Sequence, residues 1–163
     1  MILGVPRESL PGERRVALVP ESVPKLAGLQ VCVQAGAGEG AGAGDAVYVE
    51  KGASVEPDGA ALLAKSDIVA RVRAPSLAEA ESLRAGAVLI ALMAPHANLA
   101  VVKRLAELKV TTLALELVPR ITRAQSMDVL SSMSSVAGYK AVLIAAAALP
   151  RFFPLLMTAA GTI

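Results

Sequence analysis

The 163-residue chain is 55% hydrophobic and 18% charged, a balance that excludes a disordered tail and fits one domain, or one domain with a linker. Its net charge of +2, with no basic run longer than Arg14-Arg15, leaves no footprint for nucleic acid or an anionic membrane surface. Two Tyr, two Phe and no Trp offer little for base stacking, and one His with one Cys excludes both a classical zinc site and a disulfide framework. Cys32 lies in an apolar run and reads as a buried strand residue in a reducing compartment. The first residues, "MILGVPRES", lack a charged leader and a cleavage site, so no signal peptide is expected. The longest apolar runs, residues 85–95 and 141–150, fall short of the roughly 18–20 residues that span a bilayer. No direct membrane span is expected.

Short apolar runs alternate with helical patterns along the chain. Residues 2–5 read as a strand. Pro20 opens a helix over residues 20–27 that Gly28 stops. Residues 30–34 read as a strand. After a glycine-rich stretch, Asp45 is placed to cap a short helix to Lys51, and Asp58 to cap another through Lys65. A strand follows over residues 68–72. Ser76 and Glu79 form a capping box that opens a helix to Arg84. Residues 87–92 read as a strand, and Asn98 caps a helix to Leu108 with Val101, Leu105 and Leu108 on one face. A strand over 111–115 precedes a long helix from about Gln125 to Leu149. Strands separated by single helices predict an α/β, Rossmann-like (flavodoxin-like), mostly parallel sheet with helices on both faces. Ligands of such sheets bind beyond the carboxyl ends of the strands.

The stretch "VQAGAGEGAGAGDAVYV" looks at first like a phosphate cradle. Gly36, Gly38 and Ala41 fit G-x-G-x-x-A, and Glu56 lies twenty positions past Gly36. The helix that follows is barely two turns, however, and an Asp at its cap would fill the free amides and repel phosphate. The stretch therefore reads as a rim loop. His96, after Pro95, reads as a loop residue with nothing nearby to orient it as a base.

"LELVPRITRAQSMDVLSSMSSVAGYK" carries more. Arg120 lies just past a strand end, and its guanidinium can hold phosphate or carbonyl groups through two parallel bonds. Gln125, Asp128, Ser131 or Ser132, and Ser135 recur at helical spacing and predict one polar face. Met127, Leu130, Met133, Ala137, Ala141 and Ile144 fall on another. The polar stripe is either a solvated face or a set of ligand contacts.

The segment "PRITRAQSMDVLSSMSSVAGYKAV" resembles the signature loop of the NAD-binding alpha subunit of proton-translocating NAD(P) transhydrogenases. The opening "GVPRES", the "GAGAGD" loop and "SDIVARVRAP" resemble the same family and are shared with alanine dehydrogenases. Alanine dehydrogenases place a catalytic His directly after the Leu that ends the 87–92 strand. Met93 stands there in this chain. They also lack the spacing that Arg120, Gln125 and Asp128 spell here.

The resemblance implies an N-terminal α/β domain over 1–122. A loop-helix linker over 123–163 would lead toward a dinucleotide-binding domain not included in this chain. It implies NAD(H) on this component, with Arg120, Ile121, Thr122, Gln125, Asp128, Ser131 and Ser132 around the nicotinamide end. It further implies NADP(H) on a partner component, membrane-spanning components of the same complex, a homodimer, and a cytoplasmic place peripheral to the inner membrane. Catalysis would be positioning, with Arg120, Gln125 and Asp128 carrying it, and no metal. Two other readings stand beside this one. The first is an alanine-dehydrogenase-type domain in which Arg15 and Arg71 or Arg73 grip a carboxylate. The second is a non-catalytic dimerisation and docking module.

Overall fold

The computed structural model describes residues 1–151, 157–158 and 161–162, with side chains described through Arg151. These fall into two compact units, Met1–Leu117 and Val118–Ile163. In the first unit, six parallel strands run in the order β3-β2-β1-β4-β5-β6. They are β1 (Ile2–Val5), β2 (Gln30–Gln34), β3 (Ser54–Glu56), β4 (Ile68–Arg73), β5 (Val88–Leu92) and β6 (Thr111–Ala114). Helices α1 (Asp45–Glu50), α2 (Gly59–Lys65), α3 (Leu77–Glu81) and α4 (Leu99–Glu107) make the four crossovers from β2 to β6, while the one from β1 to β2 carries a 3-10 turn. The second unit holds α5 (Val129–Ala148) and an antiparallel pair, β7 (Met157–Thr158) with β8 (Gly161–Thr162).

The strand pattern places two cores on opposite faces of the sheet. Leu3 pairs in register with Ile68, and both belong to one cluster with Val5, Val31, Val33, Val23 and Tyr48. Val69, one residue on in β4, points the other way because strand side chains alternate. It joins Leu89, Ala91 and Met93 in a cluster with Ala80 of α3 and Val101 and Leu105 of α4. Cys32 is 4% exposed within β2, as its apolar setting predicts.

Several local expectations hold. Asp58 accepts the Ala60 amide at 2.9 Å as the α2 cap. The Ser76–Glu79 capping box is formed in both directions. Others are corrected. The segment expected as a helix over 20–27 is a 3-10 turn over Pro20–Lys25, because Pro24 inside it removes a backbone donor. The edge strand β3 is three residues long, too short for a period-2 pattern to reveal it. The α3 helix stops at Glu81 rather than Arg84. Asn98 occupies the α4 cap position but makes no cap bond. Its amide instead donates back to the carbonyls of Met93 and Ala94, at 2.8 and 3.4 Å.

Asp45 does not cap α1 either, because Gly44 holds that place. The Asp45 carboxylate instead accepts the Gly36 amide at 2.9 Å and closes the glycine stretch on itself. Gly38 is required for close approach: a Cβ there would lie 2.4 Å from the Ala43 carbonyl and 2.6 Å from the Tyr48 ring. The Tyr48 hydroxyl donates to the Leu18 carbonyl at 2.7 Å, so the loop, α1 and the segment before Pro20 lock around one buried phenol.

At the carboxyl end of the sheet, β1 and β4 pair only over Leu3↔Ile68 and Gly4↔Val69. Beyond that pairing, the Glu8 carboxylate accepts the amides of Val72 and Arg73 at 2.6 and 3.2 Å. Arg71, 2% exposed, lies 3.7 Å from Glu8 and 3.2 Å from Glu79. On the rim, Glu13 takes a two-pronged grip from Arg15 at 2.7 and 2.6 Å and a bond from Arg73 at 3.1 Å. The Arg15 bonds, with Arg73 adding to them, hold the Glu13 carboxyl at about 2, against an ordinary 4.5.

Gly38→Ala should lower stability by about 1–3 kcal/mol through overpacking, read as a lower urea midpoint with an unchanged slope. Glu13 contributes to the acid limb instead. Because its folded-state value is depressed, its contribution is present above pH 4.5 and lost as pH falls through about 2. Glu13→Gln should therefore flatten the acid limb of the stability profile. It should remove about 1–2 kcal/mol of pH-dependent loss, since both arginines are partly exposed and solvent screens them.

Candidate functional site

The chain between Val118 and α5 is shaped by proline, a short turn and a cap. Pro119 cannot continue a regular ladder, and the Ile121 amide bonds back to its carbonyl at 2.9 Å. A 3-10 turn over Thr122–Met127 follows, closed by the Ala124 amide on the Ile121 carbonyl. Ala124 is the buried anchor of the turn at 5% exposure. Asp128 then caps α5: its carboxylate accepts the Ser131 amide at 3.0 Å and the Ser131 hydroxyl at 2.6 Å. Those Ser131 bonds, and after them the nearby Arg120 cation, hold the Asp128 carboxyl below the ordinary carboxylate range.

This folding brings seven of the residues expected from the sequence around one open cleft of about 660 Å³, and leaves Ser135 outside it. Its lining is Arg120, Ile121, Thr122, Gln125, Asp128, Ser131 and Ser132, together with Ala124. Sequence reasoning missed Ala124, whose only signal is its three-residue spacing from Ile121 in a 3-10 turn. The expected helical stripe is corrected: α5 begins at Val129, so Gln125 sits in the 3-10 turn and Asp128 is the cap. The residues converge through a bend in the backbone rather than along a helix face. Chemically, Arg120 supplies fixed donors, Gln125 both a donor and an acceptor, and Asp128 acceptors. The cleft volume is within the range of small-molecule sites. Such a set can hydrogen-bond a ligand that carries both donors and acceptors.

Helix α5 is 20 residues long with a mean hydropathy of 1.4, and none of its residues is buried. By length and composition it is the one described helix that could cross a membrane. Its apolar runs are individually short because Ser131, Ser132, Ser134, Ser135 and Lys140 interrupt them, which hides it from a count of unbroken apolar residues.

The other candidates separate from this cleft. The glycine stretch offers no phosphate cradle. Its Gly36 amide goes to Asp45, its Ala37 amide to the Gln34 carbonyl, and α1 is six residues long. Glu56 pairs with Lys65 and accepts the Asp58 amide. His96 is an exposed loop residue. Met93 is 1% exposed in the core and has no acid–base chemistry. Arg15, Arg71 and Arg73, the alternative carboxylate grip, already hold the chain's own Glu13, Glu8 and Glu79. Among the described residues no group of His, Cys, Asp and Glu could hold a metal ion.

Residues 4–137 match the family described as alanine dehydrogenase/PNT, N-terminal domain. The whole chain is 44% identical to NAD(P) transhydrogenase subunit alpha of Cereibacter sphaeroides, covering 32% of that relative. It is similar to the crystal structure of transhydrogenase from Sinorhizobium meliloti at 47% identity and a TM-score of 0.92. That match takes in 100% of this chain and 49% of the other. Alanine dehydrogenase of Halomonas elongata is 37% identical over 87% of this chain and 38% of its own length. The chain thus spans less than half the length of these relatives. With a six-stranded parallel sheet, a capped loop and a family match over most of its length, the chain belongs to the alanine dehydrogenase/PNT N-terminal domain family.

Proposed function

We propose that this chain is the leading portion of the NAD(H)-side component of an NAD(P) transhydrogenase. The observation that carries the reading is the cleft itself: the seven residues expected at the nicotinamide end border one space. The whole-chain identity to transhydrogenase alpha subunits supports it. In this reading, Arg120 and Gln125 orient the nicotinamide carboxamide, and Asp128 with Ser131 and Ser132 holds the ring end. A bound dinucleotide supplies the hydride, delivered to NADP+ on a partner component. The chain's residues position and shield that end of the ligand. The transfer places no proton, so the set needs donors and acceptors rather than a general base. The pyrophosphate and adenosine would be held by a dinucleotide-binding domain in the further length that the relatives possess, with residues 123–163 as the link toward it. The complex would be homodimeric through this component. It would sit at the cytoplasmic face of the inner membrane, and membrane-spanning partners would couple the transfer to proton movement. Helix α5 would serve as linker rather than span.

A dehydrogenase of alanine is the second reading of the same family. The buried Met93 and the internally engaged Arg15 and Arg73 count against it.

In the full-length subunit with its partner components, Arg120→Ala should lower kcat/KM for NADH-driven reduction of NADP+ by roughly 10–100-fold. That is the worth of a charged hydrogen bond or two. Circular dichroism and the unfolding midpoint should stay unchanged, since Arg120 is exposed. Unaltered kinetics would remove Arg120 from the site, and NAD-linked deamination of alanine by the wild-type subunit would favour the second reading.

A further inference from the structure

Among the described residues other than glycine, Ala94 and Lys109 hold left-handed backbone, at φ 43° and 56°. Lys109 has an ordinary reason. It follows the α4 cap residue Leu108, and its amide and that of Val110 bond back to the Ala106 and Leu105 carbonyls at 3.0 and 2.9 Å. Many helices end in this way. Ala94 has no helix behind it. It follows β5 at the carboxyl end of the sheet and stands directly before Pro95. A residue before proline is pushed toward extended backbone, and any residue with a Cβ resists positive φ. Ala94 is therefore strained on two counts, and the same rules name its relaxed alternative.

Strain of this kind lasts only where the surrounding bonds enforce it. The Ala97 amide and the Asn98 side-chain amide donate to the Ala94 carbonyl, at 2.9 and 3.4 Å. Both donors belong to the loop itself and travel with it. Glu116 reaches in from the 3-10 turn Leu115–Leu117 beyond β6, within the same compact unit. Its carboxylate accepts the Met93 amide at 3.1 Å and the Ala94 amide. We infer that residues 93–98 form a two-state strap whose latch is Glu116. With the carboxylate seated on both amides, the strap is shut and Ala94 is left-handed. With it withdrawn, Ala94 passes to extended backbone and the strap opens. Open parallel sheets bind ligands on this side, and the strap carries the exposed His96. Opening changes what that rim presents.

The strain fixes the sign of the test. In a loop already at rest in its preferred shape, Ala94→Gly adds backbone freedom and loosens it. In a strained loop the same substitution relieves the positive φ and shuts the strap more firmly.

The experiment uses the full-length subunit, with amide exchange of residues 93–98 and of β5 followed together. Glu116→Gln keeps one acceptor oxygen and loses the charge. It should speed exchange over 93–98 by about ten-fold, the scale of one charged hydrogen bond, and leave β5 unmoved. Ala94→Gly should slow exchange over 93–98 by about five-fold. The double variant should return toward wild type. Exchange that Ala94→Gly speeds or leaves unchanged overturns the strap. Exchange that Glu116→Gln leaves unchanged, or speeds equally in β5, overturns the latch. Ala94 is exposed, so Ala94→Gly leaves the core intact and decides the question by itself should Glu116→Gln not fold.

Discussion

The insertion of Glu8 between β1 and β4 is the contact on which the first unit depends. These two strands meet where the sheet changes its direction of winding, and they pair over only two residue positions. Past that point the β4 amides of Val72 and Arg73 have no strand partner on the β1 side. Glu8 supplies both acceptors, and its charge answers the buried Arg71. Removing one partner of a buried ion pair leaves the other uncompensated, at a cost of several kcal/mol. Open α/β sheets bind ligands where strand order reverses. Here the chain's own Glu8 and Glu79, paired with Arg71, stand at that split, and the two carboxylates border an open pocket of about 470 Å³.

Much of this was legible in the residues. Strands such as "AVLIAL" are apolar on both sides because a parallel sheet is covered on both faces. The capping box at Ser76 is a local rule that tertiary context left undisturbed. Elements failed to be legible where a longer-range bond competed with a local one. Asp45 looks like a cap because its neighbours are helical, but Gly36, nine residues back, offers its amide first. Asn98 is drawn the same way toward the Met93 and Ala94 carbonyls, next to the left-handed backbone of Ala94 at φ 43°. Strand β3 owes its existence to its neighbour β2, through Cys32↔Ser54 and the next two pairs, rather than to any pattern of its own.

The loop after residue 118 shows the same division. The resemblance pointed to residues from Arg120 through Ser132, which do line one cleft, but their shape was not readable. A helical repeat of three and four residues and a 3-10 turn ending in a capped helix bring nearly the same side chains together. They differ in what Asp128 does. On a helix face it would be one of several polar groups, whereas as the cap it is committed to Ser131 before any ligand arrives. Ala124 was invisible because a buried methyl in a short turn has no chemical signature.

The poverty of aromatic residues has a practical side. With no Trp, the two tyrosines are the chain's ultraviolet reporters, and they divide between the two units. Tyr48 is fully enclosed beneath the glycine loop, whereas Tyr139 is 71% exposed on α5. A quencher in solvent reaches Tyr139 at once and Tyr48 only when the sheet unit opens. Each half of the chain thus carries its own natural optical label, and the two can be watched separately without altering a residue.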